Sequence, residues 1–279
     1  MKLERIKKLK PEKFKRRFGV KKETYNLLVE IVKKEQNNHK RGRKSKLTVS
    51  EQILVTLEYL REYRTYFHIS EYWNISESTV CRTVHKIEKI LLKSGYFSLG
   101  GKKELIKKEN EIKAVLIDVT EIAIERPKKR QKIYYSGKKK EHTFKAQLVV
   151  NKDTLEIICY VNGRGREHDF KIFKNSRLPL SEKIKCLVDK GYQGIEKIHK
   201  LSEIPKKKTK KRKLTQEEKR KNRELNRQRI VIEHVNRKLK IFRILSEKYR
   251  NKRKRFGLRF NLIAGIYNYE IVKKDIAII

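Results

Sequence analysis

The 279-residue chain has no long apolar run, few acidic residues and little cysteine. No stretch approaches the roughly 18–20 apolar residues that span a bilayer, which excludes a transmembrane helix. The opening MKLERIKKLK is basic and has no apolar core, so a secretory signal is not expected. Cys81, Cys159 and Cys186 are odd in number, widely spaced and without a Cys-x-x-Cys pair. That excludes a disulfide framework and a cysteine zinc site, and fits a cytoplasmic setting. Internal repeats are absent. Hydrophobic residues make up 37%, low for a globular chain but too high for a disordered one.

What the chain has in abundance is positive charge: 75 Lys and Arg against 33 Asp and Glu, a formal net charge of +42. Such an excess repels itself in a compact protein unless a polyanion or counterions screen it. It is also unevenly spread. Residues 1–50 carry 18 basic and 5 acidic residues, and residues 206–255 carry 23 and 5. Two basic surfaces on an otherwise ordinary fold point to nucleic acid, because phosphate neutralisation supplies most non-specific affinity. A generically Lys-rich proteome is the bland alternative.

The first part of the chain reads as helical. Tyr25, Leu27, Leu28 and Ile31 are at helical spacing over 22–35. A basic hinge at 39–47 follows, and then an amphipathic helix with Ser50 as candidate N-cap and Ile53, Leu54, Leu57 and Leu60 on its apolar stripe. Next come a helix over 66–73, a turn at Asn74–Ser76 and a helix over 77–92. Ile69, Tyr72 and Trp73 lie before the turn, and Val80, Val84, Ile87 and Leu91 after it, the pattern of a helix-turn-helix. Its second helix would offer Ser78, Thr79, Arg82, Thr83 and Lys86 to a DNA groove. A plain helical hairpin with a solvated face has the same spacing.

After Gly100–Gly101 the pattern turns to strands, at 113–124, 142–151 and 155–162, followed by a helix at 166–176 and a short buried strand opening 183–194. A basic connection at 204–213 leads to a long helix from Thr215 to Phe242, opened by the Thr-x-x-Glu capping signal TQEE, and an apolar helix at 256–272 closes the chain. The expected class is α+β or α/β: an all-helical domain at 1–98, with the helix-turn-helix at 66–92, then a mixed-sheet domain at 99–279.

Three carboxylates stand where packing rarely wants them. Asp118 and Asp189 each follow an apolar strand segment, where an unpaired carboxylate is costly. Glu233 heads a polar helix face: on a wheel of about 100° per residue, Arg229, Asn236, Arg237 and Lys240 fall within about 60° of it. A solvated face of i,i+4 pairs fits that pattern equally well.

The segments LIDVTE (116–121), HDF (168–170), VDKGYQG (188–194) and RIVIEHVNRKLK (229–240) resemble DDE transposases of bacterial insertion sequences, of the IS-five-type and Harbinger-like group. The family's acidic triad matches Asp118, Asp189 and Glu233, and its Arg-x3-Glu-x6-Lys signature matches Arg229, Glu233 and Lys240. The family's Tyr three residues before that Arg is absent, Asn226 standing there. The resemblance spans roughly 43–270. It implies an RNase H-like catalytic domain behind a helix-turn-helix, in which the triad holds two Mg²⁺ (or Mn²⁺) ions for phosphoryl transfer on double-stranded DNA. It further implies binding of the element's terminal inverted repeats, strand transfer to target DNA and self-association on DNA, with Arg229, Arg237 and Lys240 touching phosphate or orienting carboxylates. Asp169 is an auxiliary acid or a helix N-terminal carboxylate; Tyr192 stacks on DNA or packs in the core. A transposase-derived regulator and a metal-dependent endonuclease without strand transfer are the alternatives.

Overall fold

The computed structural model describes residues 2–37, 45–208, 213–251 and 254–276. The hinge expected at 39–47 lies outside them up to residue 44, and so does 209–212 within the basic connection. The element order is α1 (Lys2–Lys7), α2 (Pro11–Phe18), α3 (Lys22–Asn37), α4 (Val49–Glu62), α5 (Tyr66–Trp73), α6 (Glu77–Lys93), α7 (Glu104–Lys107), β1 (Ala114–Ala123), α8 (Gln131–Tyr134), β2 (Tyr135–Ser136), β3 (Glu141–Asn151), β4 (Ile157–Arg164), α9 (Asp169–Ser176), β5 (Lys185–Leu187), β6 (Ser202–Glu203), α10 (Gln216–Lys240) and α11 (Phe256–Ile276). No helix among the described residues is long and apolar enough to cross a membrane.

The chain divides into two compact units. One comprises Met1–Ser98 with Leu239–Ile279, the other Leu99–Lys238. Sequence order alone runs the second domain on to 279; in the structure, residues 239–279 go with the helical unit.

In the helical unit, α4 starts two residues earlier than Ser50 suggests. Thr48 is its N-cap, and Thr48 and Glu51 satisfy each other's backbone N–H groups in a capping box. The helix-turn-helix forms as expected. Thr65 and Ser76 cap α5 and α6, and Asn74 makes the turn in the left-handed region, φ 52°, which Asn tolerates because its short polar side chain bonds locally. Ile69, Trp73, Val80, Val84, Ile87 and Leu91 are buried between the helices. Trp73 Nε1 donates to the buried Glu58 carboxylate at 3.0 Å, so the lone tryptophan is a core residue with its polar atom satisfied.

From the carboxy-terminal part of this unit, Arg259 of α11 reaches Glu88 of α6: Nε donates to Oε1 at 2.7 Å, and both side chains are fully buried. Arg255 binds the other Glu88 oxygen at 2.8 Å. Gly265 lets α11 approach the Phe97 backbone, since a Cβ there would lie 2.3 Å from the Phe97 carbonyl carbon.

The second unit is built on a mixed sheet. β3 lies antiparallel to β1 on one side and to β4 and β2 on the other; β5 and β6 continue parallel from β1. Val115 and Ile117 of β1 point into a cluster with Val149, Cys159, Phe173 of α9, Val188 and Tyr192. Strand alternation sends Asp118 to the opposite face, where it meets α10. The capping box of α10 is present: Glu218 N donates to Thr215 Oγ1 at 3.1 Å, and Thr215 N to Glu218 Oε2 at 3.0 Å. Leu225, Ile232, Val235 and Leu239 form the buried stripe of α10.

Candidate active site

The parallel register of β1 and β5 brings two of the expected carboxylates together. Leu116 pairs with Leu187, and the ladder ends there. Asp118 and Asp189 each lie two residues beyond that last pair, and they are close enough for the Asp189 charge to act on Asp118. The Asp189 backbone stays extended (φ −85°, ψ 177°), and its Oδ1 accepts from Gly191 N at 2.8 Å, closing a short 3-10 turn over Lys190–Tyr192.

Asp118 is a carboxylic acid held well above its ordinary range. Burial pushes its carboxyl up to about 6; Asp189 and Asp169 nearby push the same way, and Arg229 and the Val119 N–H oppose them. Asn236 Nδ2 of α10 donates to Asp118 Oδ2 at 3.0 Å. Arg229 Nη2 stands 3.9 Å from Asp118 Oδ1, with a side chain only 14% exposed. Among the described residues, Arg229 Nε and Asn236 Oδ1 are buried without a hydrogen-bond partner.

Asp169 is the first residue of α9, and its Oδ1 accepts from Lys145 Nζ of β3 at 2.9 Å. A Cβ on Gly191 would lie 2.9 Å from Asp189 Oδ1 and 3.3 Å from Asp169 Oδ2, so any side chain there would crowd both carboxylates. Tyr192 is fully buried beside them. Its hydroxyl donates to Gln147 Oε1 at 3.1 Å and its ring packs edge-on against Phe173. Burial, with Asp118, Asp169 and Asp189 close by, raises its phenol well above the usual range. DNA stacking by Tyr192 is therefore excluded: its ring has no free face.

Glu233 is exposed. Ile232 takes the inward position on α10, with Arg229 and Asn236 beside it, and Glu233 lies about 100° further round the helix. Arg237 and Lys240 are exposed as well. Among the described residues, no three His, Cys, Asp or Glu side chains are gathered as a metal would need. The donors present nevertheless suit a hard divalent cation. Two carboxylates interact there, Asp118 raised by burial and by the Asp189 charge, and the Asn236 amide oxygen near Asp118 is buried without a donor.

On the helix-turn-helix, Ser78, Arg82 and Lys86 are exposed, and Arg82 Nη2 donates to Ser78 Oγ at 3.3 Å. Thr79 is half-buried, its Oγ1 2.9 Å from the Ser76 cap hydroxyl. Thr83 is buried, at 7% exposure. It flanks the Val80–Val84–Ile87 stripe closely enough to be packed under it, and it cannot face a groove as its spacing suggests.

Lys145 and Asn236 escape the sequence reading as site residues. A lysine that opens the buried run KAQLVV, 145–150, is the signal that Lys145 gives. Asn236 gives only its place on the Glu233 face.

A helix-turn-helix ahead of a mixed sheet whose adjoining strands present paired aspartates defines an α+β nuclease-type architecture. Family comparison agrees. Residues 117–268 match the DDE superfamily endonuclease model, and residues 45–97 match the helix-turn-helix of DDE superfamily endonuclease. The chain belongs to the DDE superfamily endonucleases. It is 57% identical over 275 residues, 98% of this chain and 100% of the relative, to a protein of Microchaete diplosiphon named as a probable transposase for insertion sequence element IS702. No solved structure gives a significant match.

Proposed function

We propose that the protein is the transposase of an insertion sequence: it binds the terminal inverted repeats of its element, cleaves there and joins the freed 3′-hydroxyls to target DNA. The observation that supports this reading is that Asp118 and Asp189 each follow, by two residues, the last pair of a parallel ladder, Leu116 and Leu187, and that the Asp189 charge acts on Asp118. The near full-length likeness to a named transposase supports it.

Asp118 and Asp189 would hold a divalent ion, Mg²⁺ or Mn²⁺, with Glu233 as the third acid and two ions in the working site. When bound, such ions neutralise and polarise the reacting phosphate. Asn236 orients Asp118 through its amide, and Arg229 balances the Asp118 charge until a cation arrives. Ser78, Arg82 and Lys86, with Thr79 at the edge, contact the element ends; Arg237 and Lys240 engage phosphate. The protein works on DNA as a multimer.

The test is a strand-transfer assay with labelled element ends, a target plasmid and Mg²⁺. Joined products are expected. Hydrolysis without joining would retire the transposase in favour of a plain endonuclease, and end binding without cleavage would favour a regulator.

A further inference from the structure

Lys219, Arg220, Arg223 and Arg227 of α10 are exposed cations that the reaction leaves without a role. On a wheel of about 100° per residue they fall within about 60° of Arg223, as does Arg237, whereas no Asp or Glu of the helix does. Arg229 and Asn236, which meet Asp118, lie about 120–140° away round the helix. The cationic stripe is therefore turned away from the carboxylates. From Lys219 to Arg237 it runs for about 27 Å. Among the described residues, none of these cations pairs with a carboxylate. The acids nearest in sequence are engaged elsewhere, Glu217 with Lys221 at 2.8 Å and Glu218 with Lys206 at 3.2 Å. Lys219, Arg223 and Arg227 stand at successive i,i+4 positions, where like charges repel, so the face gains from an anionic partner. Asn222 brings in more charge. Its Oδ1 accepts from Lys206 N at 2.8 Å and its Nδ2 donates to Lys206 O at 2.9 Å, a two-point clamp that holds the chain leading to the exposed Lys207 and Lys208 against α10.

We infer that this stripe is a second DNA-binding surface, apart from the helix-turn-helix, which holds a duplex along its phosphate backbone without reading sequence. This rests on the DNA-acting function proposed above. A straight ridge of about 27 Å covers roughly eight base pairs of a duplex, whose stiffness keeps its phosphates in line over that length. A single strand fits less well, because such strands are held by stacking on aromatic side chains and α10 has no Phe, Tyr or Trp. Leu214 and Ile230 line a shallow hollow with Lys219, Arg223 and Arg227, which suits the apolar sugar edges between phosphates. Contacts of this kind position a duplex and carry no sequence information. Since the helix-turn-helix belongs to the other unit, one chain has two separate surfaces for DNA, and a chain on an element end can hold an unrelated duplex as well.

The experiment measures binding of a random-sequence duplex to the full-length protein by fluorescence anisotropy across a salt series. Lys219→Gln/Arg223→Gln/Arg227→Gln should weaken binding about tenfold or more, and the slope of log K against log salt should shrink by about 2.7, at about 0.9 per lost phosphate contact. The control Lys128→Gln/Lys129→Gln/Lys132→Gln removes the same charge from exposed residues elsewhere in the same unit and should leave the slope as it is in the parent. Both variants should melt with the parent, because every substituted residue is exposed. On a bead-bound element end, the parent should retain a second, labelled random duplex and the α10 variant should release it. An unchanged slope in the α10 variant, or an equal fall in the control, would overturn the assignment. So would an α10 variant that keeps duplex affinity and loses poly-glutamate instead, which would give the face to an acidic protein. A parent that holds the random duplex through α10 but joins no strands retires the transposase reading and leaves this one standing. Joined strands with an unchanged slope retire this surface alone.

Discussion

Asn236 and Arg229, not Glu233, are the α10 side chains that meet Asp118, the Asn236 amide donating to Oδ2 at 3.0 Å. Asn236 and Glu233 are three apart on one helix, and Glu233 points to solvent. The amide therefore sets the direction in which the Asp118 lone pairs face. Replacing Asn236 with Ala should lower cleavage about tenfold or more while end binding, measured by mobility shift, stays unchanged. Loss of end binding in that variant would instead mark Asn236 as a DNA contact.

Asp118 should cost stability when no metal is present. Its folded-state carboxyl is raised to about 6 from an ordinary 3.8, so its contribution is fully favourable below about pH 4 and is lost as the pH rises through 6. At pH 7 the isosteric Asp118→Asn should be more stable than the parent by on the order of 1–2 kcal/mol, partial exposure moderating the effect. The gap should open between pH 4 and 7, and saturating Mn²⁺ should narrow it. Thermal melts across that range check both. The same variant should lose cleavage and keep end binding; undiminished cleavage would remove Asp118 from the site.

Glu88 and Arg259 form a fully buried pair. Glu88→Gln leaves Arg259 without its counter-charge and should destabilise the helical unit by about 3–5 kcal/mol. End binding should fail with it, since Glu88 lies on α6. For the same reason, a fragment ending at residue 98 should not fold by itself, because α11 supplies Arg259. A cooperative melt from such a fragment would contradict this.

The outer face of α6 separates two neighbouring residues by role. Arg82→Ala should weaken end binding and flatten its salt dependence without changing Tm, because its side chain is exposed. Thr83→Lys should lower Tm by burying an unpaired charge, and any loss of binding should follow the loss of fold.

Much of this was legible in the chain itself. The helix-turn-helix could be read because capping residues, an Asn turn and a 3.6-residue apolar period are local signals, and Thr65, Asn74 and Ser76 stand where the structure uses them. The paired aspartates were legible because each ends an apolar β segment. The N-cap of α4 was misplaced by two residues: Ser50 and Thr48 are both good capping residues, and only the reciprocal bonds with Glu51 choose between them.

The sequence by itself determined the types of the longer elements, the helical-then-mixed order and the acids at the ends of apolar strands, since each depends on neighbours in the chain; the short helices Lys2–Lys7 and Pro11–Phe18 carry no such signal. Tertiary structure decided the rest: that residues 239–279 join the helical unit, that Tyr192 and Thr83 are buried, that Lys145 holds Asp169, and that Asn236 rather than Glu233 meets Asp118. These are contacts between residues far apart in sequence. They turn on the rotation of a helix about its axis and on strand register, and local pattern limits these without fixing them.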